Sequence, residues 1–348
     1  MLMRVADEIV SDPFGERSAR LLRLRRQVLG GSFEFASESP ELMRLVRWAY
    51  DGLPAHRLEE SPARMTVRLM LGGHTESGRA TRNARSRGEP PPFAMHSMPG
   101  LLCGAGDGST LAVMSAERGA ALVVVARDLL RFPYHLRYEL IEFAVFTLAA
   151  RVQGLMPLHA ACLGRDRRGL LLIGESGAGK STAVLHCALR GLDLIAEDSL
   201  FVAPRSLLAT GIANFLHVRR ESLRFLPPAE ASLIRRSPII RRRSGVRKFE
   251  IDLRQRPFRL APQPLAIEGL VALSARGAGR GPLLVPIGSR EALERLRLSQ
   301  PYAAGQAGWR MFARRMRAVP AFELRRGRHP RESAEALEQL CGGTVAAC

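Results

Sequence analysis

The sequence predicts an α/β fold in two parts, a smaller mixed α+β unit over residues 1–133 and a larger α/β unit over 134–348. Three observations predict it. An apolar strand pattern, Leu170-Leu171-Leu172-Ile173, runs straight into a glycine-rich turn that opens a helical pattern. Short apolar or alternating runs recur along the chain with turn residues between them, and helical-period patterns fall in the gaps. The composition, 46% hydrophobic and 24% charged over 348 residues, suits a packed globule with room for two domains.

In the first unit, Pro40 to Tyr50 carries Leu42, Leu45, Val46 and Ala49 on one face and reads as a helix. Met65 to Leu71, Leu111 to Met114 and Leu122 to Val125 read as strands, and the polar stretch Gly72 to Pro92 as a loop. No chemistry is legible in this unit. After Pro133, Leu136, Leu140, Phe143, Ala144 and Leu148 set a helical period that runs through Val152. Leu158 to Leu163 reads as one strand, Gly164 to Gly169 as a hairpin-like turn, and Leu170 to Ile173 as the returning strand. A helix is expected from Ser181 to Leu189, stopped by Gly191. Leu192 to Ala196 reads as a short buried strand that delivers Glu197-Asp198 at its carboxyl end. Open parallel sheets put their ligand crevice there, so the acid pair is expected to face the glycine turn. Strands are expected at Lys248 to Leu253, Gly269 to Leu273 and Ala321 to Leu324. Helices are expected at Ser289 to Leu298, Gly308 to Ala318 and Glu332 to Leu340.

The chain uses arginine for almost every positive charge and keeps two lysines, Lys180 and Lys248. Lys180 closes Gly174-Glu175-Ser176-Gly177-Ala178-Gly179-Lys180-Ser181, the pattern of a phosphate-binding loop. A compact ammonium reaches between phosphate oxygens inside a tight backbone nest, where a planar guanidinium does not fit. The loop and the helix after it offer backbone N–H groups and a positive dipole end to phosphate oxygens. Lys180 is expected on the β- and γ-phosphates of a nucleoside triphosphate, and the Ser181 hydroxyl on magnesium, with Thr182 completing the loop.

Glu197-Asp198 arrives one short helix after the loop, closer than the second acidic motif of most phosphate-loop proteins. Phosphoryl transfer needs one carboxylate near magnesium and a group to accept the nucleophile's proton, and two adjacent acids can divide those roles. The bland reading is a surface turn cap. His159 lies in an otherwise apolar run. It is read equally well as a satisfied core residue or as a group brought to the same crevice by strand pairing.

A net charge of +19 admits a nucleic-acid, membrane or acidic-peptide partner. The basic run Arg241-Arg242-Arg243 through Arg247 has no interleaved aromatics, which argues against nucleic acid. Cys103, Cys162, Cys187, Cys341 and Cys348 are odd in number and widely spaced, so neither a disulfide framework nor a zinc site is expected. No apolar signal core or bilayer-length run stands out, and a reduced, cytoplasmic protein without a membrane partner is expected.

Taken together, Leu158-His159-Ala160, Gly174 to Thr182 and Arg190-Gly191-Leu192-Asp193-Leu194-Ile195-Ala196-Glu197-Asp198 resemble the catalytic domain of HPr kinase/phosphorylase. The resemblance is dense from Leu158 to Asp198 and loose beyond it. It implies a P-loop kinase domain of the HPr kinase/PEP carboxykinase-like type, ATP and magnesium as cofactors, and assembly as a homo-oligomer. It makes Asp198 the general base on a serine hydroxyl with His159 close by, and puts Glu197 near magnesium. Lys180 and Ser181 would hold ATP and its metal. Thr182 stands where bifunctional members carry an acid, and Glu197 where they carry aspartate. Thr210-Gly211-Ile212 is only a faint echo of a downstream family signature. These departures make the chain similar to the divergent HPr-kinase-like proteins found with peptide natural-product pathways. Some of those phosphorylate a serine of lasso-peptide precursors. Arg47 to Pro54 and Lys248 to Leu253 fit that group.

The expected activity is therefore ATP-dependent serine phosphorylation of a peptide or small protein. Lys248, a lysine surviving where arginine is the rule, is expected to enter the active site near the acceptor or leaving phosphate. The basic stretch Arg235 to Arg247 would grip an acidic peptide or the phosphate-rich product. A transporter-type ATPase would need a Leu-Ser-Gly-Gly signature, which is missing. A nucleotide-gated binding protein would bind ATP without transferring phosphate, and HPr-type carrier proteins stand as the alternative acceptor.

Overall fold

Period-two burial builds the first sheet. Met65, Val67 and Leu69 are buried and Arg64, Thr66 and Arg68 exposed along the Arg64–Leu71 strand, and Ala120–Val125 repeats the alternation. The computed structural model describes residues 21–58, 62–72, 93–98, 100–106, 110–175 and 177–342. Residues 1–20, most of the expected Gly72 to Pro92 loop, Ser176 and Cys348 lie outside them. The chain is α/β, and its described residues form a seven-stranded sheet, a ten-stranded sheet and a three-stranded sheet.

The first sheet includes strands that the sequence pattern hides. Leu22–Val28 and Gly31–Ser37 form a hairpin whose turn residues Leu29 and Gly30 both have positive φ, at 51° and 77°. Leu-Gly is a poor signal for such a turn, and the strand's arginines blur its alternation. Arg23 and Arg25 are held across the hairpin by Glu34. The Pro40–Tyr50 helix forms as expected, capped by the Ser39 hydroxyl, and lays Leu42, Val46 and Ala49 into the core.

The helical stretch after Pro133 is not uniform. Leu136–Glu142 is π-helical and Phe143–Val152 α-helical. Arg137 and Glu142 are five residues apart, the spacing of a π turn, and their side chains meet inside the protein at 2.9 Å. The apolar face from Leu136 to Leu155 joins the core of the seven-stranded sheet, so the first core extends beyond residue 133.

In the ten-stranded sheet the strand Arg168–Ile173 lies between Ala161–Arg165, antiparallel, and Leu265–Gly277, parallel. The expected single strand from Leu158 to Leu163 is instead bent at Ala160. Its first half, Met156–His159, pairs with Ser199–Val202, and its second half pairs with Asp193–Ala196. His159↔Ser199 and Cys162↔Ala196 keep one register, so a single antiparallel ladder turns a corner at Ala160 on one strand and at Glu197-Asp198 on the other. Gly211 sits under that corner. A Cβ there would lie 2.6 Å from both the Ile195 carbonyl oxygen and the Ala196 Cβ.

The sheet is mixed rather than open and parallel. Even so, Asp193–Ala196 and Arg168–Ile173 both run antiparallel to the strand between them, so their carboxyl ends share one edge. This puts the acid pair beside the glycine turn. The small sheet, ordered Phe215–Val218, Arg247–Asp252, Ile239–Arg241, flanks the same edge.

Candidate active site

The glycine turn owes its shape to backbone angles. Gly177 and Gly179 have φ of 91° and 100°, and nothing lies within 4 Å of a Cβ at either, so conformation and not crowding calls for glycine. The Lys180–Leu189 helix starts immediately after, with the amides of its first turn free of side-chain caps. It stops as expected at Gly191 (φ 81°), where Leu192 N–H donates to Cys187 O at 3.2 Å.

Lys180 is buried. Its Nζ donates to Glu197 O at 3.2 Å and to Asp198 Oδ1 at 3.3 Å. The Ser181 hydroxyl donates to Glu197 Oε1. His159 Nδ1 lies 2.6 Å from Asp198 Oδ1. The His159 side chain is 67% exposed, which removes the core-histidine reading. Its strand edge is clamped by Gln300, whose amide accepts from His159 N–H at 2.7 Å and donates to His159 O at 3.0 Å. Burial works to raise the Asp198 carboxyl. The His159 hydrogen bond and the Lys180 charge outweigh it and hold that carboxyl well below the usual range.

Thr182 Oγ1 lies 3.1 Å from Ser222 Oγ. Gly174, Glu175, Gly177, Gly179, Lys180, Ser181, Thr182, Glu197, Asp198, His159 and Lys248 line one cavity of about 230 Å³. Ala178 lies on the far side of the turn and lines a second cavity, of about 350 Å³, with Phe225 and His329. Those two rings meet edge-on at 5.5 Å.

Lys248 is half-buried, and burial first, then the Arg242 charge, lowers its pKa. A lysine so placed loses its proton at lower pH than a solvated one. If the ammonium serves the reaction, activity falls as pH rises through that lowered value. Lys248→Arg should abolish this alkaline limb, and a pH–rate profile unchanged from the parent would remove Lys248 from the chemistry.

The cavity also contains His217, Arg219 and Ser222, which the sequence reading did not single out, and Arg242, which it placed only in a basic run. Arg242 Nη2 donates to His217 Nδ1 at 3.2 Å. His217 Nε2–H is thereby left to donate to Glu250 Oε1 at 3.1 Å. His217 and Glu250 are register partners on neighbouring strands. A histidine in Phe215-Leu216-His217-Val218 and a glutamate in Phe249-Glu250-Ile251 were the available signals, as polar residues inside apolar runs. Within the expected basic grip, Arg242 is committed to this cavity and Arg243 donates to Glu139 at 2.7 Å, so neither is a free surface charge. Arg190, part of the family-like motif, points elsewhere, anchoring the C-terminal helix through Glu338 at 2.7 Å.

The corner under the acids makes a direct prediction. Gly211→Ala must displace Ile195 or Ala196 and with them the carboxylates that follow. A loss of activity of about 10²-fold is expected, since misplacement near 1 Å costs about that much. A steady-state assay showing parent activity would mean that the corner absorbs the methyl group.

The chain matches no family model, and no curated protein matches it. Among the described residues no helix is long and apolar enough to cross a membrane, no three His, Cys, Asp or Glu side chains cluster as a metal site, and Cys103, Cys162, Cys187 and Cys341 are free.

Proposed function

We propose that this chain is an ATP–magnesium-dependent serine kinase with an HPr-kinase-like P-loop domain, acting in the cytoplasm on a peptide or small protein. The observation that carries the proposal is the meeting of Lys180, Ser181, Glu197, Asp198 and His159 around one cavity at the mouth of the glycine turn.

In this reading the turn's amides and Lys180 hold the β- and γ-phosphates. The second cavity, beside Phe225 and His329, takes the base. Ser181 and Glu197 would hold magnesium. Two adjoining oxygens suit an ion that keeps phosphate and water oxygens as its other ligands. Bound magnesium neutralises charge on the phosphate oxygens. Asp198 accepts the proton of the acceptor hydroxyl as its oxygen bonds to the γ-phosphorus and the bridge to the β-phosphate breaks. His159 and Lys180 orient the Asp198 carboxylate, and Arg242 and Lys248, on the same cavity wall, add positive charge to stabilise the transferring group. The acceptor most consistent with the family resemblance is a ribosomally made precursor peptide of the lasso type.

The test is transfer of labelled γ-phosphate from ATP to lasso-type precursor peptides and to HPr, with Asp198→Asn as control. Label on a peptide, lost in the variant, supports the proposal. Label on HPr alone assigns the carrier protein instead. ATP binding without transfer to any acceptor defeats the kinase reading.

A further inference from the structure

A further cavity reaches Asp198. It measures about 630 Å³ and separates the edge of the first sheet and the Phe143–Val152 helix from the second sheet. Its walls are mainly apolar, with Met95, Leu102, Phe146, Phe201 and Tyr302 among them. Two large apolar side chains stand in water on its opposite banks, Met95 at 40% exposure and Tyr302 at 54%. Isolated exposed apolar residues need no explanation, but a pair facing across a cleft does. This cleft shares just two lining residues with the cavity at the glycine turn, His159 and Asp198, which touch each other.

We propose that this cleft seats the acceptor, a peptide segment whose reactive serine is flanked by aliphatic or aromatic side chains. The inference rests on the kinase reading and deepens it. In-line transfer puts the nucleophile and the leaving phosphate on opposite sides of the γ-phosphorus. His159 and Asp198 line both cavities, so a serine seated in the cleft reaches Asp198 while the nucleotide is held at the glycine turn. The cleft wall carries few charges, chiefly Arg151, His159 and Asp198, so acidic flanks gain little there. The rival acceptor surface is the concavity lined by Arg219, Arg220, Arg247 and Lys248, which suits an acidic segment.

A position-scanning library of synthetic peptides, each with a single serine, decides between the two surfaces. Two readouts are taken, labelled phosphate transfer and anisotropy of the fluorescein-tagged pools. Parent protein is compared with Met95→Glu and Tyr302→Glu, exposed positions where a new charge leaves the fold intact. Burying one leucine or phenylalanine corresponds to about 10- to 100-fold in affinity, so leucine, isoleucine, phenylalanine or methionine beside the serine should be preferred over aspartate by at least that lower factor. Each variant should raise the peptide KM by about 10-fold and leave the ATP KM unchanged. Selection of acidic flanks, or variants with the parent's peptide KM, overturns the cleft even though transfer occurs. Absence of transfer with apolar pools still bound, and released by Tyr302→Glu, defeats the kinase reading and keeps the cleft. Pools that do not bind at all overturn it. So does a parent dimer that Tyr302→Glu makes monomeric, because the cleft then belongs to a second copy.

Discussion

Asp198→Asn is expected to lower γ-phosphate transfer by about 10²- to 10⁴-fold, the range for removing a positioned general base. Asparagine keeps the shape, and its amide oxygen still accepts from Lys180 Nζ and His159, so ATP should bind as before. The loss therefore belongs in the transfer step, read as the single-turnover rate with bound ATP. A variant within about threefold of the parent would show that Asp198 is not the base, because a loose, metaphosphate-like transition state can proceed with little proton removal. Burial opposes ionisation of this carboxyl, but His159 and Lys180 depress its pKa. For a depressed carboxyl, the ionised form and the stability it contributes persist above the unfolded value and are lost as pH falls through the folded one. Lowering pH from neutral to mildly acidic should thus leave Asp198 charged. An acid limb of activity in that window would report a different group.

Arg137→Leu is expected to cost about 3–5 kcal/mol of folding stability, the range for breaking a buried ion pair. Arg137 is almost wholly buried between the Trp48 and Phe215 rings, its guanidinium carbon 4.5 and 4.2 Å from their centres, and it bonds both Glu142 and Glu250. Glu142 also accepts from Asn214, which donates to Ala49 O at 3.1 Å, while Glu250 leads through His217 to Arg242 at the cavity. Without Arg137 the two carboxylates are left buried and uncompensated. Burial already raises the Glu142 pKa against the pull of Arg137, and removing the cation raises it further. A carboxyl whose folded pKa exceeds its unfolded value binds protons more tightly when folded, so the variant's deficit against the parent should shrink as pH falls from 7 towards 5. Adding Glu142→Gln and Glu250→Gln should restore part of the loss. Urea midpoints across that pH range check both expectations. A constant deficit would mean that lost ring stacking, not stranded charge, carries the cost.

This network also gives a structural place to the two segments that fit the divergent kinase-like group. Trp48, from the Arg47 to Pro54 segment, and Glu250, from the Lys248 to Leu253 strand, meet through Arg137. Arg254 ties them again by donating to Trp48 O at 2.8 Å and Asp51 O at 2.9 Å. His56 adds a third tie: Nε2 donates to Ala261 O and Nδ1 accepts from the Thr210 hydroxyl, both at 2.9 Å. The first unit, silent in sequence, thus braces the walls of the candidate site.

Local signals were legible because they are short-range. The glycine pattern sets backbone angles within a few residues, the apolar run of Leu170 to Ile173 marks a buried strand, and Gly191 stops the helix beside it, so the loop, the acid pair and most element positions could be read directly. The Leu22–Val28 and Gly31–Ser37 hairpin could not, because arginines interrupt the apolar alternation of its first strand and Leu29-Gly30 is a weak turn signal. Only tertiary structure decided that the ladder bends at Ala160 and Glu197-Asp198 and that His159 stands in solvent against Asp198. It alone brings His217 and Arg242 across from the small sheet and opens the apolar cleft that reaches Asp198. These depend on contacts between residues far apart in the chain, and neither spacing nor periodicity along a sequence carries that information.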